Sequence, residues 1–248
     1  MQGVPADYYR RLHEVDRNHW WHLGMRSIER SLLAGRMRGS LLDAGCGTGG
    51  FLAWAESQGV FTRLAGVDIS AEAIELARET APGAELRVAP LDRLPFVDAE
   101  FDVAVSNDVL QHVPAAVLDA SLQELRRVLR PGGTLLLRTN GDRRARCERD
   151  DWRAYDAETL SADLRRAGFA VRRVTYANAV LSVLAAARGR RPHAPTAKTS
   201  GIPTVERGAR AALGGALLGL EARYLAVAGR RLPYGHTLFA IAEREALQ

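Results

Sequence analysis

The sequence is nearly devoid of lysine and of cysteine. Lys198 is its only lysine, so the basic excess, 34 basic residues against 29 acidic ones and a net charge of +5, is carried by arginine. That balance excludes an acidic polyelectrolyte. Arginine in place of lysine has two readings: a GC-rich coding sequence, or binding of phosphate or carboxylate groups, which the guanidinium fork matches better than an ammonium does. Two cysteines, Cys46 and Cys147, cannot build a disulfide framework. No Cys/His cluster has zinc-ligand spacing, so no metal is expected. No stretch approaches the roughly 18 uncharged apolar residues of a membrane span, and Met1–Arg11 has no apolar run behind its charges. A cytoplasmic protein is expected. What is present is ordinary globular composition, 47% hydrophobic and 25% charged over 248 residues, enough for one large domain plus an accessory segment.

From about residue 40 short apolar runs alternate with helical patterns, which predicts a parallel sheet with helices on both faces. Strands are expected at 41–44, 64–67, 86–89, 101–106, 134–137, 169–175 and 238–242. Ser70 should cap a helix. Pro131-Gly132-Gly133 should stop the helix over 115–130, and Gly168 should end another over 159–167. Residues before Met25 read as helical. Arg188–Pro203, with Arg188, Arg190, Arg191 and Lys198, reads as a mobile basic loop. After it a helical pattern runs over 205–228 with Leu213, Leu217, Leu220, Tyr224 and Leu225 on one face, interrupted by Gly214-Gly215 and Gly219.

Chemistry concentrates first at Asp43-Ala44-Gly45-Cys46-Gly47-Thr48-Gly49-Gly50, between a predicted strand and a predicted helix. Glycines let the backbone turn tightly and approach a ligand, and the helix N-terminus offers unpaired N–H groups. Gly45, Gly47 and Gly50 also satisfy the dinucleotide pattern G-x-G-x-x-G. Asp43 argues against that ligand. A carboxylate two residues before the first glycine repels a pyrophosphate and suits an ammonium group.

With this loop the sequence resembles the class I S-adenosylmethionine-dependent methyltransferases, whose first motif is an apolar strand ending in D-x-G-x-G-x-G. The resemblance runs over about 38–176. Val67-Asp68, Leu94-Pro95-Phe96, Phe101-Asp102-Val103, Asp108-Val109-Leu110-Gln111-His112-Val113 and Leu129-Arg130-Pro131-Gly132-Gly133 resemble the later motifs in order. It implies a Rossmann-like fold with a seven-stranded, mostly parallel sheet in the order 3-2-1-4-5-7-6, last strand antiparallel. It also implies S-adenosyl-L-methionine as cofactor, with S-adenosyl-L-homocysteine as product. By position, Asp43, Gly45, Cys46 and Gly47 would line the methionine portion, Asp68 and Ile69 the ribose side, and Leu91 with Asp92 the adenine edge. Asn107 would sit by the amino group. Many relatives carry an acid where this chain has Pro90, which leaves Asp92 as the adenine acceptor or as a solvated loop acid.

The flanks resemble a narrower bacterial small-molecule subgroup with an N-terminal H-W-W motif and a helical insertion before the last strand. The matching residues are Tyr8-Tyr9, His19-Trp20-Trp21-His22 and Arg26 at one end, and Leu232-Pro233-Tyr234-Gly235 at the other. The implied layout is a helical lid over 1–37, a cofactor-binding core over 38–176 with 236–244, and a helical insertion over 177–235. Trp20 and Trp21 would either wall the methyl-transfer site, where aromatic faces attract a sulfonium, or anchor the lid. Arg26 would meet the cofactor carboxylate or lie on the surface.

A base is needed only if the acceptor must lose a proton. His112 is the first candidate, against a local packing role, and His22 and His236 rank lower. Arg138–Arg153, six arginines against four acids, would meet an anionic substrate or form a solvated salt-bridged loop. Tyr155 and Asn178 would orient it. The activity this implies is methyl transfer to O, N or C of a small molecule in specialised or cell-envelope metabolism, by a monomer or homodimer. The rivals are a cyclase or isomerase on the same cofactor-binding fold, an RNA methyltransferase and an NAD-dependent oxidoreductase. DNA is not an expected substrate: Ser106-Asn107-Asp108-Val109 replaces the amino-methylating motif, and neither cysteine follows a proline.

Overall fold

A computed structural model describes residues 7–141, 153, 155–187 and 208–245. Helices α1 (Tyr8–Asp16) and α2 (Trp20–Leu32) precede the first strand. The core then alternates: β1 (Gly39–Ala44), α3 (Gly50–Ser57), β2 (Phe61–Asp68), α4 (Ala71–Thr80), β3 (Glu85–Val88), β4 (Phe101–Asn107), a 3-10 turn (Leu110–His112), α5 (Ala115–Val128), β5 (Leu129–Asn140), α6 (Ala157–Arg166) and β6 (Phe169–Ala177). Helices α7 (Ala179–Ala187) and α8 (Ala209–Leu225) come before β7 (Thr237–Arg244).

The sheet has the order β3-β2-β1-β4-β5-β7-β6, with β7 antiparallel to both neighbours, as the resemblance implied. The central strands are apolar on both faces because both are covered. Alternate residues feed two cores. Leu42, Ala44, Ala104, Leu135 and Leu137 pack with Leu118, Leu122 and Leu160 of α5 and α6. Leu41, Val103, Val105 and Leu136 pack with Ile28, Leu52 and Leu218 of α2, α3 and α8. Ser70 caps α4 by accepting from the Ala73 N–H at 3.3 Å.

Two expectations change. The fifth strand starts at Leu129, directly after α5, and Pro131-Gly132-Gly133 lies inside it. Phe101 pairs with Leu129 and Val103 with Thr134, so the ladder bulges to hold the Pro-Gly-Gly segment without requiring a proline N–H. In α8 the inward residues are Gly214, Leu218, Glu221, Ala222 and Leu225. Of the face expected from periodicity, only Leu225 is buried. The reason is close contact with α2. A Cβ on Gly214 would lie 2.7 Å from Trp20, and one on Gly24 would lie 2.7 Å from Leu218 Cβ. The glycines that interrupt the sequence pattern therefore make the interface. The predicted basic loop at 188–203 lies outside the described residues.

Candidate active site

The C-terminal ends of β1, β2 and β4 meet at one sheet edge, where open α/β sheets bind ligands. After β1 the chain turns through Gly45 and Gly47 at φ +89° and +51°. Gly45 admits no side chain, since a Cβ would lie 2.3 Å from Val109 Cγ2. At Gly47 the nearest atom to a Cβ is Leu12 Cδ2 at 3.6 Å, so α1 lies over the loop in van der Waals contact with it. The Gly45 and Cys46 N–H groups donate to the Val67 carbonyl at 2.8 and 2.9 Å. Asp68 ties the loop to β2 and α4: its Oδ2 accepts from Gly47 N–H at 3.0 Å and its Oδ1 from Ser70 N–H at 2.9 Å. Burial still holds its pKa up against those bonds. Each oxygen keeps a lone pair for a further donor. Burial raises the Cys46 thiol well above its usual range, which removes it as a nucleophile.

Asp43 closes the pocket floor. Its carboxylate is almost wholly buried and Oδ1 has no hydrogen-bond partner among the described residues. Burial, then the nearby Glu29 and Asp16 carboxylates, push its pKa up. Thr48 Oγ1 and, on the adjacent strand, Asn107 Oδ1 are buried and unpartnered in the same sense. Unmatched buried acceptors are uncommon and costly. An ammonium group offers the donors that they lack. At the outer side Ile69 and Val88 are about half exposed, Leu91 is buried and Asp92 half-buried. Ile69 is thus an exposed apolar side chain beside the buried Asp68 carboxylate.

The roof comes from the N-terminal helices and is strongly charged. Arg138, in β5, is buried; it donates to Asp108 Oδ2 through Nε at 3.0 Å and pairs with Glu29 of α2. Its guanidinium lies 5.2 Å from the Trp21 ring centre. Burial opposes its charge, but Asp108 and Glu29 more than compensate. Burial raises the pKa of Glu29 in spite of Arg138 and Arg26. Asp108 adopts φ +57°, uncommon for a side-chain-bearing residue, and that conformation aims its carboxylate at Arg138. Arg26 donates to the Asp16 carbonyl at 2.8 Å and to its Oδ1 at 2.9 Å. The pair sits over the N-terminus of α3, where a Cβ on Gly50 would collide with both side chains.

His22 belongs to this roof. Its Nδ1 lies 3.3 Å from Asp16 Oδ1 and its ring meets Trp21 edge-on at 5.0 Å. Burial first, then Arg138 and Arg26, lower its pKa to about 3. Tyr8 of α1 shares the space: burial, then Tyr9, Asp108, Asp68 and Asp16, raise its pKa to about 12.

Among the residues singled out in the sequence, Trp21, His22, Arg26, Asp43, Gly45, Gly47, Asp68 and Asn107 gather around one pocket. Trp20 turns toward Gly214 of α8. His19 caps α2, its Nδ1 accepting from Trp21 N–H at 3.2 Å. His112 is half-buried in the 3-10 turn. His236 precedes β7, and its carbonyl accepts from Gly141 N–H at 2.8 Å. Leu232 is bonded to Thr175, and Tyr155 is buried against Asn140. Asn178, at φ +61°, donates its N–H to Glu221 at 2.6 Å. Of the arginine-rich stretch, 142–152 lies outside the described residues, and Arg138 is a strand residue with two acidic partners. Asp16, Glu29 and Asp108 were missed as partners. The available signal was a lone arginine after Leu135-Leu136-Leu137, since a charge in an apolar strand requires a counter-charge.

The sheet order, with β7 antiparallel at one side, is that of the Rossmann-like methyltransferase fold. Residues 42–137 match a family described as a methyltransferase domain. The chain is 31% identical over 156 residues, 62% of its length and 57% of the relative's, to a malonyl-[acyl-carrier protein] O-methyltransferase of Enterobacter lignolyticus. It is 41% identical over 120 residues to an uncharacterised 37.1 kDa protein in transposon TN4556 of Streptomyces fradiae, covering 45% of this chain and 33% of that one. The chain thus spans between a third and somewhat over half of the length of these relatives. An S-adenosylmethionine-dependent methyltransferase from Mesorhizobium loti has the same fold, with TM-score 0.57 and 19% identity over 88% of this chain and 98% of that one.

Proposed function

We propose that this chain is an S-adenosylmethionine-dependent methyltransferase acting on a small molecule, of the bacterial subgroup whose N-terminal helices roof the site. The observation that carries the reading is the buried carboxylate oxygen of Asp43, which has no partner among the described residues, at the head of the glycine loop. Asp43 and Asn107 would hold the amino group of the cofactor, Asp68 its ribose hydroxyls, and Ile69, Leu91 and Asp92 its adenine edge. Arg26, over the start of α3, would meet the carboxylate. Bound S-adenosylmethionine would supply a methyl group already activated on a sulfonium.

What the protein adds is position. The Trp21–Arg138 stack and the α1–α2 roof exclude water and fix the acceptor for in-line attack. At pH 7 a histidine with a pKa near 3 is a poor base, so His22 acts as a neutral hydrogen-bonding group. His112 is then the imidazole available where the acceptor carries a proton. The Enterobacter lignolyticus relative is named a malonyl-[acyl-carrier protein] O-methyltransferase, and a malonyl carboxylate loses no proton at neutral pH. A small anionic acceptor in the cytoplasm fits the same economy.

Calorimetry with S-adenosylhomocysteine and mass spectrometry of products test the proposal. Micromolar binding, lowered about tenfold to hundredfold in Asp43→Asn by loss of a charged hydrogen bond, is expected, together with a product heavier by one methyl. Binding of NAD in its place refutes the cofactor, and an isomeric product refutes transfer.

A further inference from the structure

Helix α8 has two apolar faces, and the fold uses one. At 3.6 residues per turn, Gly214, Leu218, Glu221, Ala222 and Leu225 occupy one arc, the arc packed on α2. On a second arc, roughly 120° around the helix, Leu213, Leu217, Leu220 and Tyr224 follow at alternating steps of four and three, and Val227 lies just past the helix end. Leu213 is 59% exposed, Leu220 61% and Val227 50%. Helix α7 adds exposed Val180 and Val183, and it is fastened to α8 by Glu221, whose carboxylate accepts from the Asn178 and Val180 N–H groups at 2.6 and 3.1 Å. Glu221 is the only acid of α8 and is turned inward. Among the described residues the charges beside the ridge are basic: Arg210 on one flank, Arg223 on the other, and Arg230 stacked on Tyr224 at 4.8 Å.

We infer that this ridge docks on an anionic lipid surface. A contiguous exposed apolar ridge, here Leu213, Leu220, Tyr224 and Val227, marks an interaction site. An apolar ridge bordered by arginines matches a bilayer interface, where the leucines enter the acyl boundary and the guanidinium groups stay among anionic headgroups. A second copy of the chain fits less well. Parallel pairing of α8 ridges sets Arg210 against Arg210 and Arg223 against Arg223, and antiparallel pairing centred on Leu220 brings Arg210 toward Arg230. No helix among the described residues is long and apolar enough to cross a membrane, so the contact lies along the surface. The inference is independent of the reaction catalysed.

Cosedimentation of the full chain with phosphatidylglycerol/phosphatidylcholine vesicles, and with phosphatidylcholine alone, tests it. Binding only to the anionic vesicles, weakened by salt and reduced at least about tenfold in a Leu213→Glu/Leu220→Glu variant, is expected. The variant should keep the wild-type thermal shift with S-adenosylhomocysteine or, if that ligand does not bind, the wild-type circular dichroism. Wild-type protein left in the supernatant overturns the inference, as does a variant that sediments like wild type. A wild-type dimer in light scattering that the variant splits into monomers assigns the ridge to a second copy and overturns it as well.

Discussion

His22 should make this protein acid-labile well above the pH at which most carboxylates titrate. The imidazole is buried between Asp16 and the Trp21 ring, and Arg138 and Arg26 oppose its protonation. Its folded pKa of about 3 lies below the unfolded value of 6.5. The unfolded chain therefore binds a proton that the folded chain refuses, and stability falls as pH drops from about 6.5 toward 3, then levels off below the folded value. Proton linkage over the interval from pH 7 to pH 5 removes about 2 kcal/mol through this one group. Urea unfolding at the two pH values measures it, with His22→Gln as reference, since the amide keeps polarity and does not titrate. Wild type should lose about 2 kcal/mol more than the variant between pH 7 and pH 5. Equal losses would refute the burial and charge argument, and a variant more acid-sensitive than wild type would reverse its sign.

Arg138→Met should cost about 3–5 kcal/mol in unfolding free energy, because it leaves Glu29 buried without its counter-charge; adding Glu29→Gln should restore much of that in the same denaturation assay. Asp68→Ala should weaken S-adenosylhomocysteine binding by about 1.5–3 kcal/mol in calorimetry, and Asp68→Asn should recover part of it by keeping one acceptor for the loop N–H groups. Gly24→Ala should lower stability by about 1–3 kcal/mol, since the new methyl group enters the space of Leu218 where the two helices are too close to yield; an unchanged melting curve would show that α2 and α8 separate easily.

The sheet was legible because its signals are local. Leu41-Leu42-Asp43-Ala44 is apolar enough to be covered on both sides, and the glycines after it can only turn. Most strand ends were short by one to three residues, as at Phe61 of β2, and the start of β5 by five, because pairing extends strands past their apolar run. The helices outside the sheet were legible only as helices. In α8 the leucine periodicity pointed to one face and the glycines packed the other, because close approach of backbones contributes more contact than exposed leucines can find within this chain. Periodicity reports that a face is apolar without naming its partner.

The pocket divides along the same line. Its floor comes from one contiguous segment and two strand ends, so Asp43, Gly45, Gly47, Asp68 and Asn107 could be placed by counting from strand boundaries. Its roof joins residues more than a hundred positions apart, Glu29 to Arg138, through a contact that exists only after α2 has folded back across β5. Nothing adjacent to Glu29 in the chain marks it as buried, and Arg138 stood next to an arginine-rich stretch that suggested a surface role. Charge carried into the core is what turns the roof into part of the site. Arg26 and Arg138 are each matched by acids, while one Asp43 oxygen has no donor among the described residues. A cluster that satisfies its cations and leaves a carboxylate short of a donor is arranged to receive positive charge. On the proposed function, that requirement would favour an ammonium-bearing ligand over a polyphosphate on electrostatic grounds, independently of the glycine spacing that both ligands share.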